Sequence, residues 1–205
     1  MSEAELLEDF KQYLPKYLSP IGTENLFAEL KQFPANIDQR LYTSLLKAQP
    51  IIYQGDGLSN LPIVNLPDDK VGKAKAMVLS NTCDISPDNP RPIPARMIYC
   101  PIISYERYKA TLAASQAKVS EHHLSDIRAQ KVSSMFFLPR NDSLGEDAIV
   151  LLDRANNCDI NQIPAHEIQS RRLFTLSDYG FYLLIFKLSI HFTRIREAVR
   201  RTSES

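Results

Sequence analysis

The chain has 205 residues, and its 24 Lys and Arg balance its 24 Asp and Glu, so the formal net charge at neutral pH is zero. Dedicated nucleic-acid and membrane binders usually carry a basic excess, and the balance excludes one spread over this whole chain. The hydrophobic fraction of 44% and the charged fraction of 23% are ordinary for globular proteins. These values predict one substantial core and exclude wholesale disorder.

The cysteine count and the apolar runs indicate the compartment. Three scattered cysteines are too few for a disulfide framework, so we expect reduced thiols. The start of the chain is acidic, unlike a signal peptide. The most apolar stretch, residues 179–192, includes Lys187 and is shorter than the roughly 20 apolar residues that span a bilayer. We therefore expect a soluble, cytoplasmic protein of bacterial type without membrane contact.

Residues 1–49 are predicted to form a helical N-terminal segment. Ser2 and Glu5 fit a capping box that begins a first helix, with apolar residues at helical spacing up to residue 14. Thr23 is the predicted N-cap of a second helix, which Pro34 ends. Residues 37–47 favour a third, short helix.

Residues 50–176 are predicted to form a β-rich core. Short apolar runs separated by turn residues predict four strands, at residues 51–54, 61–66, 74–80 and 97–103. Residues 55–57 and 67–69 have turn composition. Short strands at such close spacing favour a compact barrel or sandwich.

A helical insertion is predicted at residues 104–131, followed by strands at residues 135–138 and 148–153, whereas residues 162–175 have a mixed pattern. Ser177 caps a long final helix, residues 177–201, with an apolar stripe that includes Leu184, Leu188 and Phe192. Lys187, Arg194 and Arg201 are seven residues apart and predict one basic face. The prediction is a single α+β unit: a small β-barrel core with helices at both ends and one helical insertion.

The segment most typical of chemistry is residues 78–86, where an apolar strand is followed by Ser80, Asn81, Thr82, Cys83 and Asp84. Functional residues often lie where a strand leads into a loop. A thiol beside a carboxylate needs a His or Lys from elsewhere to become reactive. The structural alternative is that Cys83 is a small buried residue and Asp84 hydrogen-bonds the following turn.

A partial repeat of this segment occurs at residues 156–161, Asn-Asn-Cys-Asp-Ile-Asn. Two Cys-Asp pairs with His122, His123 or His166 suggest a metal site, but the spacing matches no zinc pattern. His122 and His123 are adjacent on a predicted helix and do not face the same way. We expect no metal and no cofactor, and two similar strand-to-turn exits.

Three short motifs resemble the core of the MazF/PemK toxin family: Gly55-Asp56, residues 75–81 with Val78-Leu79-Ser80, and Pro101 with the residues up to Ser104. The resemblance covers about residues 51–104. It implies a small SH3-like barrel and metal-independent RNA cleavage. The family has Arg-Pro where this chain has Lys75-Ala76, and lysine supplies charge without the forked guanidinium. Its Pro-Ile-Thr hydroxyl corresponds to Ile103, so Ser104 comes one residue late, which on a strand means the opposite face.

These observations leave three hypotheses. The first is a non-catalytic interaction module on a toxin-like β-barrel, in a bacterial toxin, phage or defence context, that binds a protein partner or another copy of itself. The second is a divergent metal-independent ribonuclease that acts on RNA through Lys75, Ser80, Asp84 and Ser104. The third is a thiol- or metal-dependent enzyme centred on Cys83, which requires a histidine near the sulfur. We rank them in this order because the catalytic positions of the family are not matched.

Overall fold

The computed structural model describes residues 20–89, 91–115 and 122–193. The chain divides into two compact units, residues 1–36 and residues 37–205. In the first unit, helix α1 (Pro20–Leu30) is followed by turns up to residue 36. This helix begins before the predicted cap Thr23, because proline is well suited to the first turn of a helix. The helix predicted before residue 15 lies outside the described residues.

The second unit combines strands and helices, which confirms the α+β class. Its described strands are β1 (Tyr42–Thr43), β2 (Gly57–Asn65), β3 (Asp68–Val78), β4 (Arg96–Ser104), β5 (Met135–Leu138), β6 (Ala148–Leu151), β7 (Asn156–Asp159) and β8 (Arg172–Leu176). Its described helices are α2 (Tyr105–Ser115), α3 (His123–Arg128), α4 (Ile168–Arg171) and α5 (Asp178–Thr193). Short 3-10 turns cover Gln39–Leu41, Ile160–Gln162 and Ala165–Glu167.

The strands form one antiparallel sheet in the order β1-β8-β2-β3-β4-β6-β5, with β7 also paired to β4. Besides β3, strand β4 pairs with two further strands. Its first half pairs with β7 through Met97 and Cys158, and its second half pairs with β6 through Ile102 and Val150. Backbone pairing in the described part does not close the sheet, so the predicted SH3-like barrel is not confirmed.

Side chains nevertheless bridge two gaps in the sheet. Tyr99 Oη on β4 donates to Pro62 O on β2 at 2.6 Å, and the β2 amide of Val64 donates to Asn156 Oδ1 on β7 at 2.8 Å. At the two ends of the sheet, Tyr42 Oη on β1 donates to Pro139 O, just after β5, at 2.6 Å. We call this last contact between β1 and residues 139–140 the seam. The sheet therefore curls until its ends meet through side chains.

The predicted strand at residues 135–138 is confirmed with its bounds, and those at residues 61–66, 74–80, 97–103 and 148–153 are confirmed with shifted ends. The strand predicted at residues 51–54 is wrong. A turn lies there instead, in which Asp56 N donates to Tyr53 O at 3.0 Å. The Asp56 carboxylate also accepts from Tyr53 N at 3.0 Å, and Gly55 has a φ of +89°. The local hydrogen bonds of Asp56 therefore bend the chain where apolar composition predicts extension.

The third helix predicted at residues 37–47 is also wrong, because only the 3-10 turn Gln39–Leu41 forms there before β1. The Asp38 carboxylate caps this turn by accepting from Arg40 N at 2.9 Å. Strands β7 and β8 were missed. Their sequences, Asn-Asn-Cys-Asp and Arg-Leu-Phe-Thr-Leu, lack a clear alternating pattern, and they become strands by pairing with β4 and with β2 and β1.

Among its described residues, the second unit contains two buried clusters. One lies inside the curl of the sheet and includes Leu58, Leu61, Val78, Met97 and Tyr99. The other joins the confirmed helical insertion to β5 and β6 and includes Tyr105, Ile127, Phe137, Ile149 and Leu151. The described part of the insertion thus packs against the strands that follow it.

The final helix, α5, begins as predicted, because Ser177 Oγ accepts from Gly180 N at 3.2 Å. Two features of its predicted faces are wrong: Phe192 is 67% exposed, and Lys187 is 3% exposed and therefore belongs to the buried face. A Cβ at Gly180 would lie 2.3 Å from Leu41 O, so the helix approaches this backbone as only glycine permits. Leu184 is fully buried, as predicted, and Leu188 is partly buried. Arg194 and Arg201 lie outside the described residues.

Among the helices of the described ranges, none combines the length and the apolar composition needed to cross a membrane.

Candidate functional site

Ser80, Cys83 and Asp84 lie in the loop that follows β3. Ser80 Oγ accepts from Ile98 N at 2.8 Å, which ties the start of this loop to β4. Asn81 Oδ1 accepts from Cys83 N at 2.9 Å, as in an Asx turn. Asp84 pairs with Arg91 at 2.5 Å, and both side chains are exposed. The loop is therefore held by its own polar groups, and Asp84 spans it through a surface ion pair.

Cys83 is exposed, in contrast to the expectation for a small buried residue. No hydrogen bond joins its sulfur to a histidine within the described ranges. His123 and His166 contact other residues. His123 Nε2 lies 2.8 Å from Tyr108 Oη, and His166 is exposed beside Glu167. In the described part of the chain, no three His, Cys, Asp or Glu residues are grouped so that they could hold a metal ion.

Lys75 and Ser104 meet a different loop, residues 139–147. Lys75 Nζ donates to Leu144 O at 3.4 Å, and Ser104 Oγ donates to Glu146 Oε2 at 2.6 Å. Ser104 Oγ also accepts from Arg107 N at 3.2 Å, so it is the N-cap of α2. The Ser104 hydroxyl therefore makes two structural hydrogen bonds, one to the loop and one to the first turn of α2.

The five predicted site residues thus form two groups. Ser80 is bound to Ile98, whereas Ser104 lies six residues further along β4, which is roughly 20 Å at about 3.3 Å per residue. The structure brings Ser80, Cys83 and Asp84 together in one loop, and Lys75 and Ser104 together beside another. It does not bring the two groups to one cavity.

Asp56 and Arg172 form the most buried ion pair among the described residues, and they were not predicted as a site. Locally, Asp56 belongs to a segment of turn composition, and Arg172 is the second residue of an Arg-Arg pair. Arg172 Nε donates to Asp56 Oδ2 at 3.0 Å, and the two side chains are 1% and 0% exposed. Burial raises the pKa of Asp56, and the Tyr53 amide, the Thr175 hydroxyl and Arg172 each oppose that rise. Thr175 Oγ1 and Asp56 Oδ1 nevertheless make no hydrogen bond of good geometry.

The repeated Cys-Asp-Ile segments meet at one groove. Ile85 and Ile160, the isoleucines of the two segments, both line a groove of about 280 Å³, together with three prolines and four more isoleucines. The cysteines differ, since Cys83 is exposed and Cys158 is buried on β7. Burial raises the pKa of the Cys158 thiol, which disfavours the reactive thiolate. The repeat therefore contributes apolar packing and does not form a Cys-Asp metal site.

No model of a known protein family matches the chain, and no curated protein matches it. The resemblance to the MazF/PemK family therefore stays a prediction from short motifs, and function is inferred from this chain alone.

Proposed function

We propose that this chain is a non-catalytic interaction module on a toxin-like, SH3-like β-barrel, in a bacterial toxin, phage or defence context. The observation that carries the proposal is the separation of the candidate catalytic residues into two groups. A catalytic site needs a nucleophile, a base and a charge-stabilising group around one reacting atom. Here the Ser80 hydroxyl accepts from a backbone amide of β4, and the Ser104 hydroxyl caps α2. The curl of the sheet supports the barrel-like scaffold.

The surface most suited to a partner is the outer edge of β3. Residues 68–75 of this strand pair with β2 on one side, and pairing with β4 begins only at Ala76. Their other edge has no strand partner among the described residues. Leu66 and Val71 beside it are 84% and 69% exposed. An open strand edge with exposed apolar residues can accept a strand from another chain.

The charges along this edge favour a second copy of the chain as the partner. Asp68 and Asp69 lie at one end and are followed by Lys70, and Lys73 and Lys75 lie at the other end. Antiparallel pairing of two identical edges around a two-fold axis sets the acidic end of each copy against the lysines of its partner. Opposite charges on facing strands stabilise the pairing, whereas like charges destabilise it. Edge lysines can also prevent association, so the experiment must separate these two roles.

The test is a charge-reversal set measured by light scattering after gel filtration. We expect the unmodified chain to be a dimer whose dissociation increases with salt. Asp68→Lys with Asp69→Lys makes both ends basic, and Lys73→Asp with Lys75→Asp makes both ends acidic, so each variant alone should be monomeric. An equimolar mixture should form a heterodimer. A monomeric unmodified chain, or two variants that each still dimerise, would contradict the proposal.

One observation favours the ribonuclease as a second candidate: Lys75, Ser104 and Glu146 lie around one loop, with Ser104 Oγ 2.6 Å from Glu146 Oε2. The ribonuclease hypothesis is tested by incubating the purified chain with single-stranded RNA in EDTA. We expect no cleavage. If the unmodified chain and Asp88→Asn cleave RNA but Lys75→Ala and Glu146→Gln do not, the result would support the ribonuclease and contradict the interaction module.

A further inference from the structure

We draw no further inference here: the strongest candidate, the apolar groove of about 280 Å³ between residues 50–52, 85–87 and 160–168, carries none, because nothing in the described part of the chain shows what covers it.

Discussion

A single side chain, Arg172, joins β8 to the segment before β2. Its Nε bonds Asp56, its Nη1 donates to the carbonyl oxygens of Leu46, Lys47 and Gln49, and its Nη2 donates to Ile51 O. The guanidinium fork supplies five N–H groups in fixed directions, which an ammonium cannot match. The irregular path of residues 46–51 thus depends on one buried cation.

Arg172→Lys should therefore lower the free energy of unfolding by about 3 kcal/mol, because it leaves the buried Asp56 carboxylate and several partly buried carbonyls poorly paired. The neighbouring Arg171 is the matched control: it pairs with Glu167 at 2.5 Å in a partly exposed helix pair. Arg171→Lys should cost no more than about 0.5 kcal/mol. Urea denaturation of both variants measures the difference, and equal losses would show that the Arg172 contacts contribute little.

At the scale of elements, Lys187 fastens α5 to the connection between α3 and β5. Its ammonium donates to Gln130 O. The Gln130 side chain in turn bonds both backbone groups of Phe137, at 2.7 Å and 3.0 Å, and so occupies part of the free edge of β5. Burial lowers the pKa of Lys187 from 10.5 to about 8. The helix is thus held by a buried charge that its surroundings disfavour.

Lys187→Met should stabilise the protein at pH 7 by about 2 kcal/mol, since a shift from 10.5 to about 8 is worth roughly 3 kcal/mol and the bond to Gln130 is lost. Below pH 8 the folded state bears the full cost of the buried charge. Between pH 8 and 10.5 the folded state releases the proton while the unfolded chain keeps it, so the stability of the unmodified protein rises relative to the variant.

Thermal denaturation of both proteins between pH 7 and 11 measures this effect, with Lys109→Met, in an exposed helix pair, as the control. A difference between Lys187→Met and the unmodified protein that does not change with pH would show that Lys187 titrates normally in the fold.

At the scale of the whole second unit, the seam replaces the strand pairing that would close a barrel. The Tyr42 hydroxyl donates to Pro139 O at 2.6 Å, and Gln39 Nε2 donates to Arg140 O. These bonds join the first strand of the sheet path to the end of its last strand. The curl of the sheet therefore relies on side chains at this position.

Tyr42→Phe should cost about 1–2 kcal/mol, because it leaves the buried Pro139 carbonyl without its donor. Hydrogen exchange should become faster at β1 and β5 and stay unchanged in the β2–β3 hairpin. Tyr108→Phe, which removes a half-buried hydroxyl bonded to His123, is the control and should not change exchange at the seam. Unchanged exchange at β1 and β5 in Tyr42→Phe would mean that the seam does not hold the sheet ends.

Local sequence patterns predicted those elements whose caps and apolar spacing lie within the element itself. The Ser177 cap, the helical insertion after residue 104, and the strands β4, β5 and β6 follow from capping chemistry and short apolar runs. The groups of candidate site residues were also local: Ser80, Cys83 and Asp84 are neighbours in sequence and in space. These features need no remote partner, so the sequence by itself determined them.

Only the tertiary structure decided the rest, because it depends on which remote residues meet. β7 forms a strand by pairing with β4, and β8 by pairing with β2. Arg172 can be buried because it pairs with Asp56, and Lys187 because it donates to the Gln130 carbonyl oxygen. The same holds for the distance that separates the group of Lys75 and Ser104 from the loop of Cys83. A polar residue can be buried when a remote residue supplies its hydrogen-bond partner. The local sequence does not contain that partner, so a local pattern cannot predict the burial.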